Sequence, residues 1–134
     1  MRELTSHKVS GLNEALRIEV LDEPGQGNAC HRYRIRSAEI PPPPEADVAK
    51  CRRLLGVSCD VNFQNGPIQE AGVHGVSNEA LLAIVEDRLV GFQGGEYACG
   101  LNAAALHYVR AAMGCLRART EGRVARGVEG TSQK

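Results

Sequence analysis

The sequence predicts an α+β fold: a small N-terminal antiparallel β-sheet, then a C-terminal antiparallel helical hairpin, in a chain that oligomerises. Three observations predict it. Apolar and charged residues alternate with a period of two in three stretches before residue 66. After Ser77, apolar residues recur at helical spacing in two runs separated by the pair Gly94-Gly95. Both halves also carry more apolar surface than three short strands and two helices can cover by themselves. The 134 residues suit one domain, 1–134, with a sheet part at about 8–66, a hairpin at about 77–126 and a polar tail at 127–134.

The strands come first. Residues 15–23, ALRIEVLDE, set Leu16, Ile18 and Val20 against charged neighbours, the pattern of a half-buried strand. Residues 23–29, EPGQGNA, read as a wide hairpin loop. Residues 31–40, HRYRIRSAEI, place Tyr33 and Ile35 on one face and Arg32, Arg34 and Arg36 on the other. The four prolines at 41–44 cannot donate to a ladder, so an extended linker is expected there. Residues 46–55 are open between a short helical turn and a strand lead. Residues 56–66 alternate again through Val57, Cys59, Val61 and Phe63, and end in an Asn65-Gly66-Pro67 turn.

The helices follow. Ser77 is a good N-cap for a helix over 78–92, with Leu81, Leu82, Ile84, Val85, Leu89 and Phe92 at helical spacing. Gly94 and Gly95 are expected to stop it with a left-handed cap. A second helix begins between Cys99 and Asn102. There Asn102, Leu106, Val109, Met113, Leu116 and Thr120 step by four and three, a heptad seam for packing along another helix. The tail after Arg126 is polar and aperiodic, suited either to fraying or to ordering on a partner.

Composition excludes several functions. Sixteen basic residues balance sixteen acidic ones, which argues against DNA binding through bulk charge. No apolar stretch is long enough for a membrane span, and no signal-peptide pattern opens the chain, so the host cytoplasm is the expected location. The five cysteines show no C-x-x-C spacing and read as reduced, mostly buried residues. His107 and Cys115 can share a helix face, but two ligands do not make a metal site, and none is expected. No cofactor is expected either.

A catalytic constellation is also missing. The sequence has no G-x-S-x-G, H-E-x-x-H or Walker-type loop. Cys59 with His74 can be written as nucleophile and base, but Cys59 falls on an apolar strand face and reads as inert and buried. Glu86-Asp87-Arg88 reads as a solvated helix face. Binding features remain. The turn-rich residues 62–76 lead to a helix N-terminus that favours an anion, and they read as a structured connection. Arg117, Arg119, Arg123 and Arg126 gather at the end of the second helix, where guanidinium forks suit phosphate. Asn102 suits register fixing or hydrogen bonding to a ligand. Phe92, beside the glycine turn, suits a core position or a planar ligand.

Residues 63–93, FQNGPIQEAGVHGVSNEALLAIVEDRLVGFQ, then NAAALHYVRAAM at 102–113 and RGVEGT at 126–131, resemble the phage family of Thoeris anti-defence type 1 proteins. That family shares its helical hairpin with the anti-CBASS type 2 sponges. The resemblance implies a non-enzymatic sponge that sequesters a cyclic ADP-ribose isomer made by a bacterial TIR-domain immune enzyme. It also implies cyclic oligonucleotides as ligands of some members, and assembly as dimers or hexamers. Carried onto this sequence, it implies ligand contacts at Phe92, Asn102 and Arg119, with Arg123 as a further candidate. His74 stands where the family pattern leads one to expect asparagine, and Gly100 where it leads one to expect arginine. Arg119 lies seventeen residues beyond Asn102, roughly 25 Å along a helix, so a second, antiparallel chain is expected to bring its own Arg119 to the site. Two other functional classes remain open: a small phage structural or regulatory protein that uses the hairpin to bind another protein, and an enzyme acting on a cyclic nucleotide.

Overall fold

The structure is a computed structural model and describes residues 1–37 and 58–134. The proline linker at 41–44, the segment at 46–55 and the ends of two predicted strands, 38–40 and 56–57, lie outside the described residues. The chain forms two compact units, Met1–Asn65 and Gly66–Lys134.

The first unit is an antiparallel sheet with strands β1 (Arg2–Leu4), β2 (Leu16–Val20), β3 (Arg32–Ser37) and β4 (Ser58–Asn62) in that spatial order. A four-residue helix, α1 (Leu12–Ala15), precedes β2. The sheet thus has four described strands where the sequence pattern indicated three. β1 is too short for a period of two to register, and its place comes from pairing, with Leu4 opposite Ile18. Elsewhere the alternation sorts the faces as expected. Ile18, Ile35 and Cys59 are register partners on one face, as are Val20, Tyr33 and Val61. Glu19, Arg34 and Asp60 are partners on the other.

Arg34 forks onto Asp60 at 2.7 and 3.0 Å, and Arg36 donates to Glu19 at 2.7 Å. Each guanidinium holds its carboxyl partner below the usual carboxylate range. The 23–29 loop is closed from its base. The Asp22 carboxylate accepts from the backbone N–H of His31 at 2.9 Å and of Arg32 at 3.0 Å. Burial pushes the Asp22 carboxyl up, but these backbone bonds outweigh it and hold it down. Val20 is 1% exposed and is the best-buried apolar side chain, with Cys30 and His31 close behind.

The second unit contains α2 (Ile68–Ala71), α3 (Asn78–Gln93) and α4 (Gly100–Ala125). Ser77 caps α3 as expected, its Oγ accepting from Ala80 N at 3.1 Å. The left-handed stop does not form: Gly94 has φ −84° and ψ −2° and ends α3 in the right-handed region. The short turn to α4 returns the chain tightly enough without it. α3 and α4 run antiparallel, and Glu86 meets Arg110 across them at 2.8 Å. All six residues of the predicted seam on α4 are half-buried, and the residues between them are exposed. They face Glu79, Leu82, Glu86, Leu89 and Gln93, the half-buried stripe of α3. Neither helix has a fully buried residue, and Ile84, Val85, Tyr108 and Leu101 are exposed.

The cysteines depart from expectation. Cys30 is buried, but Cys59, Cys99 and Cys115 are exposed. Cys59 lies on β4, which ends the described sheet, and Cys99 and Cys115 lie off the α3–α4 seam.

The tail is folded. Arg123, with its side chain 12% exposed, pairs with Glu129 and donates to the carbonyls of Val128, Thr131 and Gln133. The tail then docks on α2: Gln69 N donates to Gly130 O at 3.1 Å, and Gln69 Nε2 to Glu129 O at 3.0 Å. The turn-rich stretch ahead of α3 therefore contains a short helix that the C-terminus holds in place.

Candidate ligand-binding site at the hairpin tip

The tip of the hairpin is built from the last turn of α3, the 94–99 turn and the first turn of α4. Phe92 is 37% exposed, since it lies off the inter-helix seam. One helical turn earlier, Arg88 extends over it, with Cζ 5.5 Å from the ring centroid. Tyr97 approaches the same ring edge-on, centroids 6.2 Å apart.

Asn102 is positioned from the same turn. Cys99 is the N-cap of α4, its Sγ accepting from Asn102 N at 3.3 Å. The Cys99 backbone N–H donates to Gln93 Oε1 at 3.0 Å, which ties the end of α3 to the start of α4. Asn102 Nδ2 donates to Tyr97 O at 3.1 Å. That bond commits the amide nitrogen inward and leaves Oδ1 as the acceptor available for an external donor. Phe92 and Asn102 are thus brought onto one residue, Tyr97, through its ring and its carbonyl.

The two flanks of the hairpin differ in charge. On one flank, Glu79, Glu86, Arg110, Arg117 and Glu121 line an open groove of about 600 Å³. Helical spacing puts residues 81, 85, 88 and 92 of α3 and 101, 105, 108, 112, 115 and 119 of α4 on the other. Leu, Val, Ala, Phe, Tyr and Cys dominate this flank, and its charged residues are Arg88 and Arg119. Arg119 is exposed and forms no ion pair with a described residue. It stands toward the far end of α4, so the structure does not join it to Phe92 and Asn102 within one chain. Arg123 is turned into the tail, and Arg126 donates to Lys134 O at 2.9 Å. The four arginines predicted as one cationic cluster therefore divide among the groove, the open flank and the tail.

Sequence reasoning missed Tyr97 and Arg88. Arg88 had a usable signal, the i, i+4 spacing to Phe92, but it was absorbed into the 86–88 charge run.

The tip can stack a planar ring, accept a hydrogen bond at a fixed oxygen and offer a cation. No family model matches the chain. Over 81 residues it is 47% identical to "Thoeris anti-defense 1" of Bacillus phage SBSphiJ7. The chain is a relative of the Thoeris anti-defence 1 family. The matched stretch is 60% of this chain and 57% of that relative, so the chain spans little more than half of the relative's length. No described helix is long and apolar enough to cross a membrane.

Proposed function

We propose that the chain is a phage anti-defence sponge that captures a cyclic ADP-ribose isomer made by a bacterial immune enzyme, without turnover. The observation that carries this reading is the tip cluster of Phe92, Tyr97 and Asn102, found in a relative of Thoeris anti-defence 1. Such a ligand offers an adenine plane, an exocyclic amine and hydroxyls, and a diphosphate. Phe92 meets the plane, Asn102 Oδ1 accepts from a donor, and Arg119 forks onto phosphate.

Arg119 reaches the site from a second copy. On α4 the open flank has a simple symmetry: 101 with 119, 105 with 115 and 108 with 112 are equally spaced about one point. A two-fold axis there pairs Leu101 with Arg119 of the second copy, Ala105 with Cys115, and Tyr108 with Ala112. The alanines let the helices approach, and each Arg119 arrives beside the other chain's Asn102. Function in the host cytoplasm, and cyclic oligonucleotides as further ligands, belong to the same reading.

The test is capture followed by release. Protein incubated with cyclic ADP-ribose isomers is purified and heat-denatured, and the freed ligand is analysed by mass spectrometry. Intact ligand in stoichiometric amount is expected. A chemically altered ligand makes the protein an enzyme, and no captured ligand leaves the hairpin as a protein-binding element.

A further inference from the structure

The acidic-basic run at 86–88 is divided by the fold. Glu86 turns to the groove and pairs with Arg110. Arg88 turns to the opposite flank, where the helical positions around it carry no carboxylate. It forms no ion pair with a described residue and lies over the Phe92 ring instead. A guanidinium on an exposed ring is weakly held, because water competes for the cation. It also covers a surface that a planar base would occupy. A base arriving on that face displaces the cation but leaves it close by, one helical turn from the ring, about 6 Å along the axis.

We infer that Arg88 is a ligand-binding residue of the tip site: it gives up the Phe92 face to the base and engages the ligand's diphosphate. The inference rests on the reading of the site given above. It makes Arg88 complementary to Arg119 of the second copy, so that two guanidinium forks meet a group carrying two negative charges. It also explains an unpaired arginine at the mouth of an aromatic site. Arg88 keeps the ring covered when the site is empty and supplies charge when it is filled.

Calorimetry on the full chain tests this, with the cyclic ADP-ribose isomer that the wild-type protein binds most tightly as the probe. Arg88→Gln is expected to weaken binding about ten-fold or more and to flatten its dependence on salt, whereas Arg88→Lys recovers part of both. In a Phe92→Leu background, Arg88→Gln still weakens binding, because the contact to phosphate does not pass through the ring. Unchanged affinity for Arg88→Gln overturns the inference while the site reading stands. A loss that vanishes in the Phe92→Leu background also overturns it, leaving Arg88 as a ring holder only. If the wild-type protein binds none of the isomers, the site reading falls and this inference with it.

Discussion

Arg123 Nε and Glu129 Oε2 meet at 3.0 Å, and around this pair a polar, aperiodic tail becomes part of the fold. The guanidinium also reaches the carbonyls of Val128 and Thr131 at 2.9 Å and of Gln133 at 2.7 Å. Its donors satisfy carbonyls beyond the last turn of α4 that would otherwise face one another without a partner. A cation in the last helical turn is favoured there in any case.

Arg123→Ala should therefore free the tail. Several charge-assisted bonds are lost together, and a cost of about 2–3 kcal/mol is expected. Hydrogen exchange should speed at Val128 and Thr131, and also at Gln69, whose N–H bonds to Gly130 O. Exchange that changed at the tail but not at Gln69 would separate the tail from α2.

Gly130→Ala probes the docking from the other side. Gly130 has φ +77°, and an added Cβ would lie 3.0 Å from Ile68 Cγ1 and 3.1 Å from Gln69 Cγ. Strain and overlap should together cost roughly 1–3 kcal/mol, read as a lower denaturant midpoint. Gly114→Ala is the control. It is helical, nothing lies within 4 Å of its added Cβ, and it should be neutral or stabilising.

The sheet unit should weaken in acid. Glu19, Asp22 and Asp60 all have carboxyl groups held below their ordinary values of 4.5, 3.8 and 3.8. A depressed carboxyl contributes stability that is complete above its unfolded value and is lost as pH falls through its folded value. Denaturant midpoints should thus be flat well above pH 5 and fall progressively below about pH 4. Asp60→Asn should remove part of that slope. If the slope is unchanged, the Arg34–Asp60 fork is not a source of it.

The sequence made the periodic parts of this fold legible and left the non-local parts hidden. The heptad run from Asn102 to Thr120 predicted which α4 side chains turn inward, because helical geometry fixes directions over six turns. The alternation at 16–20 and 32–37 fixed the sheet faces for the same reason. β1 has three residues and shows no period, so only its pairing with β2 defines it. The docking of Gly130 on Gln69 joins residues far apart in the chain, and nothing local announces it. At the site, Phe92 and Asn102 were legible as types beside a glycine turn. Tyr97 was not, because its role depends on a carbonyl, which every residue has.

The apolar flank carries the last prediction. Leu101 and Tyr108 are 84% and 71% exposed, and Ala105, Ala112 and Cys115 lie between and beyond them without a charge. In the two-fold arrangement proposed above, Ala112 packs on Tyr108 of the second copy near the axis. A carboxylate placed there is buried twice per dimer with no partner, at a cost of about 3 kcal/mol or more. Ala112→Glu should give a monomer by light scattering at micromolar concentration, with α-helical content retained. It should also abolish capture of the cyclic ADP-ribose isomer, since Arg119 of the second copy no longer reaches Asn102. Ala118→Glu adds the same charge to the outward side of α4 and should change neither mass nor binding. A monomeric Ala112→Glu protein that still binds at wild-type affinity would place the whole ligand site within one chain and remove Arg119 from it.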